Sequence, residues 1–201
     1  MKLILTILLT LLLHPSILVA QEEWKLNRNE NGIKVYTASS EDSKFKRIKV
    51  EATFSGTIDK LMAILMDVTN NKQWVYHTRN SHLVQLVNPH EVVYYAETSL
   101  PWPFSNRDVA IRMSLVPDTN NHTLVVTAIG EPNAVPVNKG LVRIEYFNAR
   151  WEVRKTNENE IGITYYLTVN PAGSISPGIS NMFVTKGPFE TFNNLAGLLR
   201  R

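Results

Sequence analysis

Apolar and polar side chains alternate along most of this chain in short runs, the period of half-buried strands. Gly32-Ile33-Lys34-Val35-Tyr36 reads as one strand, closed by polar residues 39–42. In the next, Ile48, Val50, Ala52 and Phe54 share one face while Arg47, Lys49, Glu51 and Thr53 share the other, as in a sheet with one wet side. From about residue 81 strand follows strand, over 82–87, 91–99, 108–116, 123–130, 141–153 and 161–169. Turn signals such as Asn88-Pro89, Pro117-Asp118 and Asn157-Glu158-Asn159 separate most of them at the spacing of an antiparallel meander.

Two stretches change period. Thr57 reads as a helix cap ahead of Leu61, Ile64, Leu65 and Val68 at helical spacing, with Asn70-Asn71-Lys72 closing that short helix. Near the end, Ile179, Met182, Phe183, Phe189, Phe192, Leu195, Ala196 and Leu199 form an apolar stripe at three- and four-residue steps, which predicts a long C-terminal helix. A sheet with one apolar face and a helix with one apolar stripe bury both most simply when the sheet curls around the helix. The predicted class is therefore α+β, a helix-grip fold with a curved antiparallel β-sheet wrapped around the C-terminal helix.

The first twenty residues stand apart. Lys2 precedes an unbroken apolar run from Leu3 to Leu13, and a short tail ends in Val19-Ala20, the order of a secretory signal. His14-Pro15 interrupts the segment before it reaches the roughly 17 residues of a spanning helix. We read residues 1–20 as a signal peptide and 21–201 as one domain, acting in the periplasm or secreted. The chain has no cysteine, which removes disulfides, thiol nucleophiles and cysteine-ligated zinc. Its net charge of +3 is too small to argue for nucleic acid.

Leu100-Pro101-Trp102-Pro103-Phe104-Ser105-Asn106-Arg107-Asp108-Val109 resembles the proline-containing lead into an Arg-Asp pair that opens a central strand in the START (StAR-related lipid-transfer) superfamily. Val142-Arg143-Ile144 is similar to that family's Val-Arg segment, and residues 170–177 are similar to its Asp-Pro-x-Gly segment, with Asn170 in place of the acid. The resemblance runs in order from about Trp24 to the end of the chain. It implies a tunnel between sheet and helix that holds a lipid, a sterol or another hydrophobic small molecule, with transient membrane contact and no cofactor.

The candidate ligand-binding residues are Arg107, Glu97, Tyr95, Trp102, Met113, Met182, Phe183, Phe189 and Phe192. Arg107 shares its strand face with Val109, Ile111, Met113 and Leu115, so it either reaches water at the strand end or points inward, where its guanidinium needs an acid, with Glu97 one candidate, or an anionic headgroup. Asp108 and Arg112 fall on the opposite face and are expected in water. Trp74, Trp102 and Tyr95 read either as pocket lining or as ordinary core. Gly187-Pro188 is expected to bend the terminal helix, because proline lacks a backbone N–H and clashes with the carbonyl of Val184. Those two residues and Pro136, in a 131–139 loop that resembles the family's loop at the tunnel mouth, are candidate gate residues; a plain kink and a surface loop are the alternatives.

Catalytic signals are poor. Gly-x-Ser-x-Gly, a phosphate-cradling glycine loop and His-Glu-x-x-His are all missing, and histidines 77, 82, 90 and 122 are scattered, so no catalytic residue and no metal ligand is assigned. Two further readings stay open. One is an enzyme on the same scaffold using Glu97, Arg107 or His77 as an acid-base pair. The other is a ligand-free interaction module.

Overall fold

The computed structural model describes residues 23–39, 45–173, 175 and 182–201, without the side chains of residues 182 and 183. The strands are β1 (Lys25–Glu30), β2 (Ile33–Ala38), β3 (Arg47–Ser55), β4 (Thr78–Asn88), β5 (Glu91–Thr98), β6 (Arg107–Asp118), β7 (Thr123–Gly130), β8 (Val142–Arg143), β9 (Tyr146–Asn157) and β10 (Glu160–Asn170). The helices are α1 (Ile58–Met66) and α2 (Gly187–Arg200). The sheet runs in the order β1-β2-β3-β10-β9-β7-β6-β5-β4, antiparallel throughout except where β8 lies parallel to the start of β6. This is the helix-grip architecture that the alternating pattern and the terminal stripe predict.

Period-two patterning decides which side chains go in. Along β3, Ile48, Val50, Ala52 and Phe54 are buried while the residues between them face outward. The inward rows of β3, β10, β9, β7 and β6 then surround Phe192 of α2, whose ring stacks on Trp151 at 5.1 Å and lies 5.5 Å from Tyr165. Burying one such aromatic ring contributes roughly 1.5–3 kcal/mol. At the far end of the helix Leu199 packs against Gly56, where a Cβ would sit 3.2 Å from the leucine side chain; with φ at +148° as well, only glycine fits.

Three local expectations change. The opening at Trp24 and Leu26 becomes the edge strand β1. There Leu26 is exposed, and the Trp24 ring rests on Tyr166 with Arg47 and Lys49 over it. Residues 68–73, expected to end α1, wind one more 3-10 turn, led by Asp67, whose carboxylate accepts from Thr69 and Asn70. The single strand expected over 141–153 is broken in two. Val142 donates to the Asn106 carbonyl at 3.0 Å and Ile144 to that of Asp108 at 2.8 Å, so this piece belongs to the edge of β6 before the chain turns into β9.

The terminal helix also differs from expectation. A π-helical turn over Met182–Lys186 leads into α2, and Pro188 falls in the first turn of α2 rather than in mid-helix. Lys186 before it keeps helical backbone angles, so the chain changes from π to α winding at this point, and the proline, which has no N–H to donate, falls at the change. The stretch before residue 182, including Ile179, lies outside the described residues.

Candidate functional site

The two ends of the gripped helix are unlike. Around Leu199 the interior is filled by Phe54, Leu61, Leu124 and Ile161. At the other end, where β6 starts and β10 finishes, a cavity of about 260 Å³ remains between the sheet and the first turns of α2. Its wall is mostly apolar, with Leu65, Val109, Met113, Ala149, Leu167 and Phe192 among the lining side chains. The size lies just below the usual range for small-molecule pockets, roughly 300–1,000 Å³.

Two charged residues belong to that wall, Lys46, which is exposed, and Arg107, which is only 4% exposed. The Arg107 guanidinium donates to three backbone carbonyls: that of Ser105, that of Pro171 at 3.1 Å and that of Ala172 at 3.1 Å. The carbonyls of 171 and 172 are presented by a left-handed turn, with φ of +55° at Ala172 and +63° at Gly173. Asn170 holds the turn by accepting from the Ala172 N–H at 3.0 Å, so the amide that replaces the family's acid fills an acceptor role. A Cβ on Gly173 would lie 3.3 Å from Arg107 Nη2. Burial pulls the guanidinium below its ordinary pKa, and its recorded hydrogen bonds all run to carbonyls rather than to a carboxylate. Arg107 thus ties the chain leaving β10 to the start of β6.

The expected pairing of Arg107 with Glu97 does not form. Thr98 pairs with Arg107 across the ladder, which puts Glu97 on the opposite, convex face with Asp108. There Glu97 accepts from Asn106 Nδ2 at 2.9 Å and lies 3.8 Å from Arg79. Asp108, expected in water, is 1% exposed and forms a two-pronged pair with Arg143 at 2.8 and 2.9 Å. Arg143 also donates to the carbonyls of Pro132, Val135 and Pro136, clamping the 131–139 loop over the convex face, and the pair with Asp108 raises its pKa above the ordinary value. Arg112 stays partly exposed between Glu91 and Glu131.

The remaining candidates separate by face. Met113, Phe192, Gly187 and Pro188 lie on the cavity wall with Arg107. Tyr95 does not: it is buried on the convex face, where its hydroxyl accepts from Asn138 Nδ2 at 3.1 Å. Trp102 is 92% exposed, so it neither lines the pocket nor joins the core. Phe189 is buried away from the cavity, beneath the Arg28 guanidinium at 3.3 Å. Pro136 belongs to the clamped loop and is not part of the cavity wall. The side chains of Met182 and Phe183 lie outside the described residues. His77 is exposed, stacked on Tyr76 with Nδ1 3.1 Å from the Ser99 carbonyl oxygen.

Sequence reasoning passed over Tyr94 and Tyr165, which line the cavity. Burial pushes both phenols well above their ordinary pKa. The available signal was the ladder itself: a residue paired with inward Arg107 is inward, which makes Thr98, Ala96 and Tyr94 the cavity row of β5. Among the described residues, no group of three His, Cys, Asp or Glu side chains is arranged to hold a metal ion.

Comparison with known proteins gives one consistent result. The family model of the START domain matches residues 11–201. A curated relative from Pseudomonas aeruginosa without an assigned function is 26% identical, over 87% of this chain and 85% of its own. The bovine phosphatidylcholine transfer protein is 25% identical, over 82% of this chain and 78% of its own. The solved StAR-related lipid transfer protein of Xanthomonas axonopodis superposes with a TM-score of 0.80 at 28% identity, covering 89% of this chain and 99% of that one.

Proposed function

The chain belongs to the START domain family, and on that premise we propose that it binds a hydrophobic small molecule in the cavity beside α2 and carries it outside the cytoplasm. The observation that carries this reading is the cavity itself. A concave apolar sheet face and an apolar helix stripe, which would otherwise close on each other as they do around Leu199, leave space at one end. The bovine relative is named for transfer of phosphatidylcholine, which favours a lipid as the cargo class. Arg107, Met113 and Phe192 are the proposed ligand contacts among the sequence candidates, joined by Tyr94 and Tyr165. Affinity would come from apolar burial, with the few polar groups fixing orientation.

The gate we propose is the start of α2, where Gly187 and Pro188 meet the cavity, together with the 171–173 turn that Arg107 holds. Loading requires a membrane as donor, which is the expected transient contact. Export rests on residues 1–20, and the native protein should accordingly begin near Gln21 on N-terminal sequencing. Mass spectrometry of molecules extracted from the purified native protein, followed by transfer of the recovered species between vesicles, tests the central reading. A defined lipid should be recovered and moved; protein that never acquires one from vesicles overturns it.

A further inference from the structure

The cavity wall is mostly apolar, and among its polar groups Arg107, Asn71 and Thr191 are hydrogen-bonded within the protein while those of Tyr94, Tyr165 and Trp74 are not, among the described residues. Tyr94 on β5 and Tyr165 on β10 are separated in the sheet by β6, β7 and β9, yet the curl brings both onto the wall of one cavity. Neither hydroxyl has a hydrogen-bond partner among the described residues, and neither is sealed inside the packing, so both open on the cavity they line. Buried tyrosine hydroxyls normally find a partner, because leaving one unmade costs about 1–3 kcal/mol.

Trp74 provides an independent sign from the same wall. It is 5% exposed and lines the cavity, and its Nε1–H is the buried side-chain donor without an acceptor among the described residues. On the convex face of the same strands the polar groups are matched: Tyr95 with Asn138, Asp108 with Arg143, Glu97 with Asn106. Three unmatched groups therefore belong to the cavity wall: the two phenol hydroxyls, which are open to a ligand, and the Trp74 N–H, which is closed off within the wall.

We infer that the ligand is an amphiphile carrying a neutral hydrogen-bonding oxygen, a hydroxyl or an ester carbonyl, within its apolar body, and that Tyr94 and Tyr165 recognise this oxygen. The oxygen is neutral because the surroundings of both phenols disfavour charge. Arg107, held by carbonyls at the start of β6, is a separate contact. This inference rests on the carrier reading above and names the chemistry its cavity selects.

The test uses three probes of matched chain length, hexadecane, 1-hexadecanol and methyl palmitate, delivered from cyclodextrin to the purified full-length protein and read by displacement of a polarity-sensitive dye. Tyr94→Phe and Tyr165→Phe keep the rings and remove the hydroxyls. Each variant should weaken 1-hexadecanol and methyl palmitate by about three- to tenfold, with hexadecane unchanged, the size expected for one lost hydrogen bond. The hexadecane arm also shows that the cavity remains folded. Equal losses for all three probes, or none for the two oxygen-bearing ones, would overturn the recognition while leaving hydrophobic carriage intact. If no probe binds the wild-type protein, the carrier reading falls and this inference falls with it. A loss for 1-hexadecanol alone assigns the hydroxyl, and a loss for methyl palmitate alone assigns the ester carbonyl.

Discussion

The two faces of β5 and β6 are built from the same strands and yet solve opposite problems. On the convex side Tyr95 meets Asn138 of the 131–139 loop, Arg143 joins Asp108 to that loop, and Glu97 accepts from Asn106, so each polar group is answered. On the concave side, among the described residues, the Tyr94 hydroxyl is left without a partner and Arg107 is answered by backbone carbonyls alone. The contrast teaches that burial alone does not mark a binding site. A buried charge pair that is fully hydrogen-bonded is architecture. Buried groups that face a cavity and stay unmatched point to a ligand.

The comparison breaks most visibly on its convex side. Arg143→Met leaves Asp108 buried without its cation and the loop without its clamp, and should lower unfolding free energy by about 3–5 kcal/mol, measured by urea denaturation. Hexadecane binding by the folded fraction should persist, since Arg143 does not line the cavity. A loss of stability well below that range would mean that the Asp108–Arg143 pair is not a fixed part of the architecture.

A smaller effect sharpens the concave side. Burial raises the pKa of Tyr94 and Tyr165 in the folded state, so the unfolded chain releases these protons first. The stability they contribute is fully present below about pH 10, the ordinary tyrosine value, and is lost as pH rises through the folded-state values. The urea midpoint should therefore fall on going from pH 9 to pH 11, and fall less in Tyr94→Phe and Tyr165→Phe. Identical slopes in wild type and variants would show the two phenols to be solvated in the folded protein. The smallest effect is expected at Trp102: with 92% of its surface in water, Trp102→Ala should change stability by no more than about 0.5 kcal/mol. A larger loss would mean that the indole packs on something.

How far the residues could be read depended on whether one face or both of a strand are apolar. In β3, charged and apolar positions alternate, so its inward row was legible without coordinates. In β5, Val92, Val93, Tyr94 and Tyr95 are all apolar or aromatic, and the strand is covered on both sides, by the cavity wall and by the loop. Alternation then carries no sign of which side is which, and Tyr95 was preferred to Tyr94. Trp102 misled for a related reason: a large ring predicts burial only on average, and a loop bounded by Pro101 and Pro103 obeys no period. Gly187-Pro188 was recognised as a break in the helix, but its meaning changed once Pro188 proved to be in the first turn of α2.

The sequence by itself determined the class of fold, because period-two and helical patterns are local properties that survive any arrangement in space, and an ordered set of motifs fixed the family. It also placed Arg107 on one strand face with Val109, Ile111 and Met113, and left open whether the guanidinium reaches water or points inward. Only the tertiary structure decided what Arg107 meets. Two of its three partners are backbone carbonyls 64 and 65 residues away, which side-chain chemistry does not announce. The same holds for Tyr94 and Tyr165 lining one cavity, which depends on the curl of the sheet. Curl is a property of many strands together, and a single stretch of sequence does not state it.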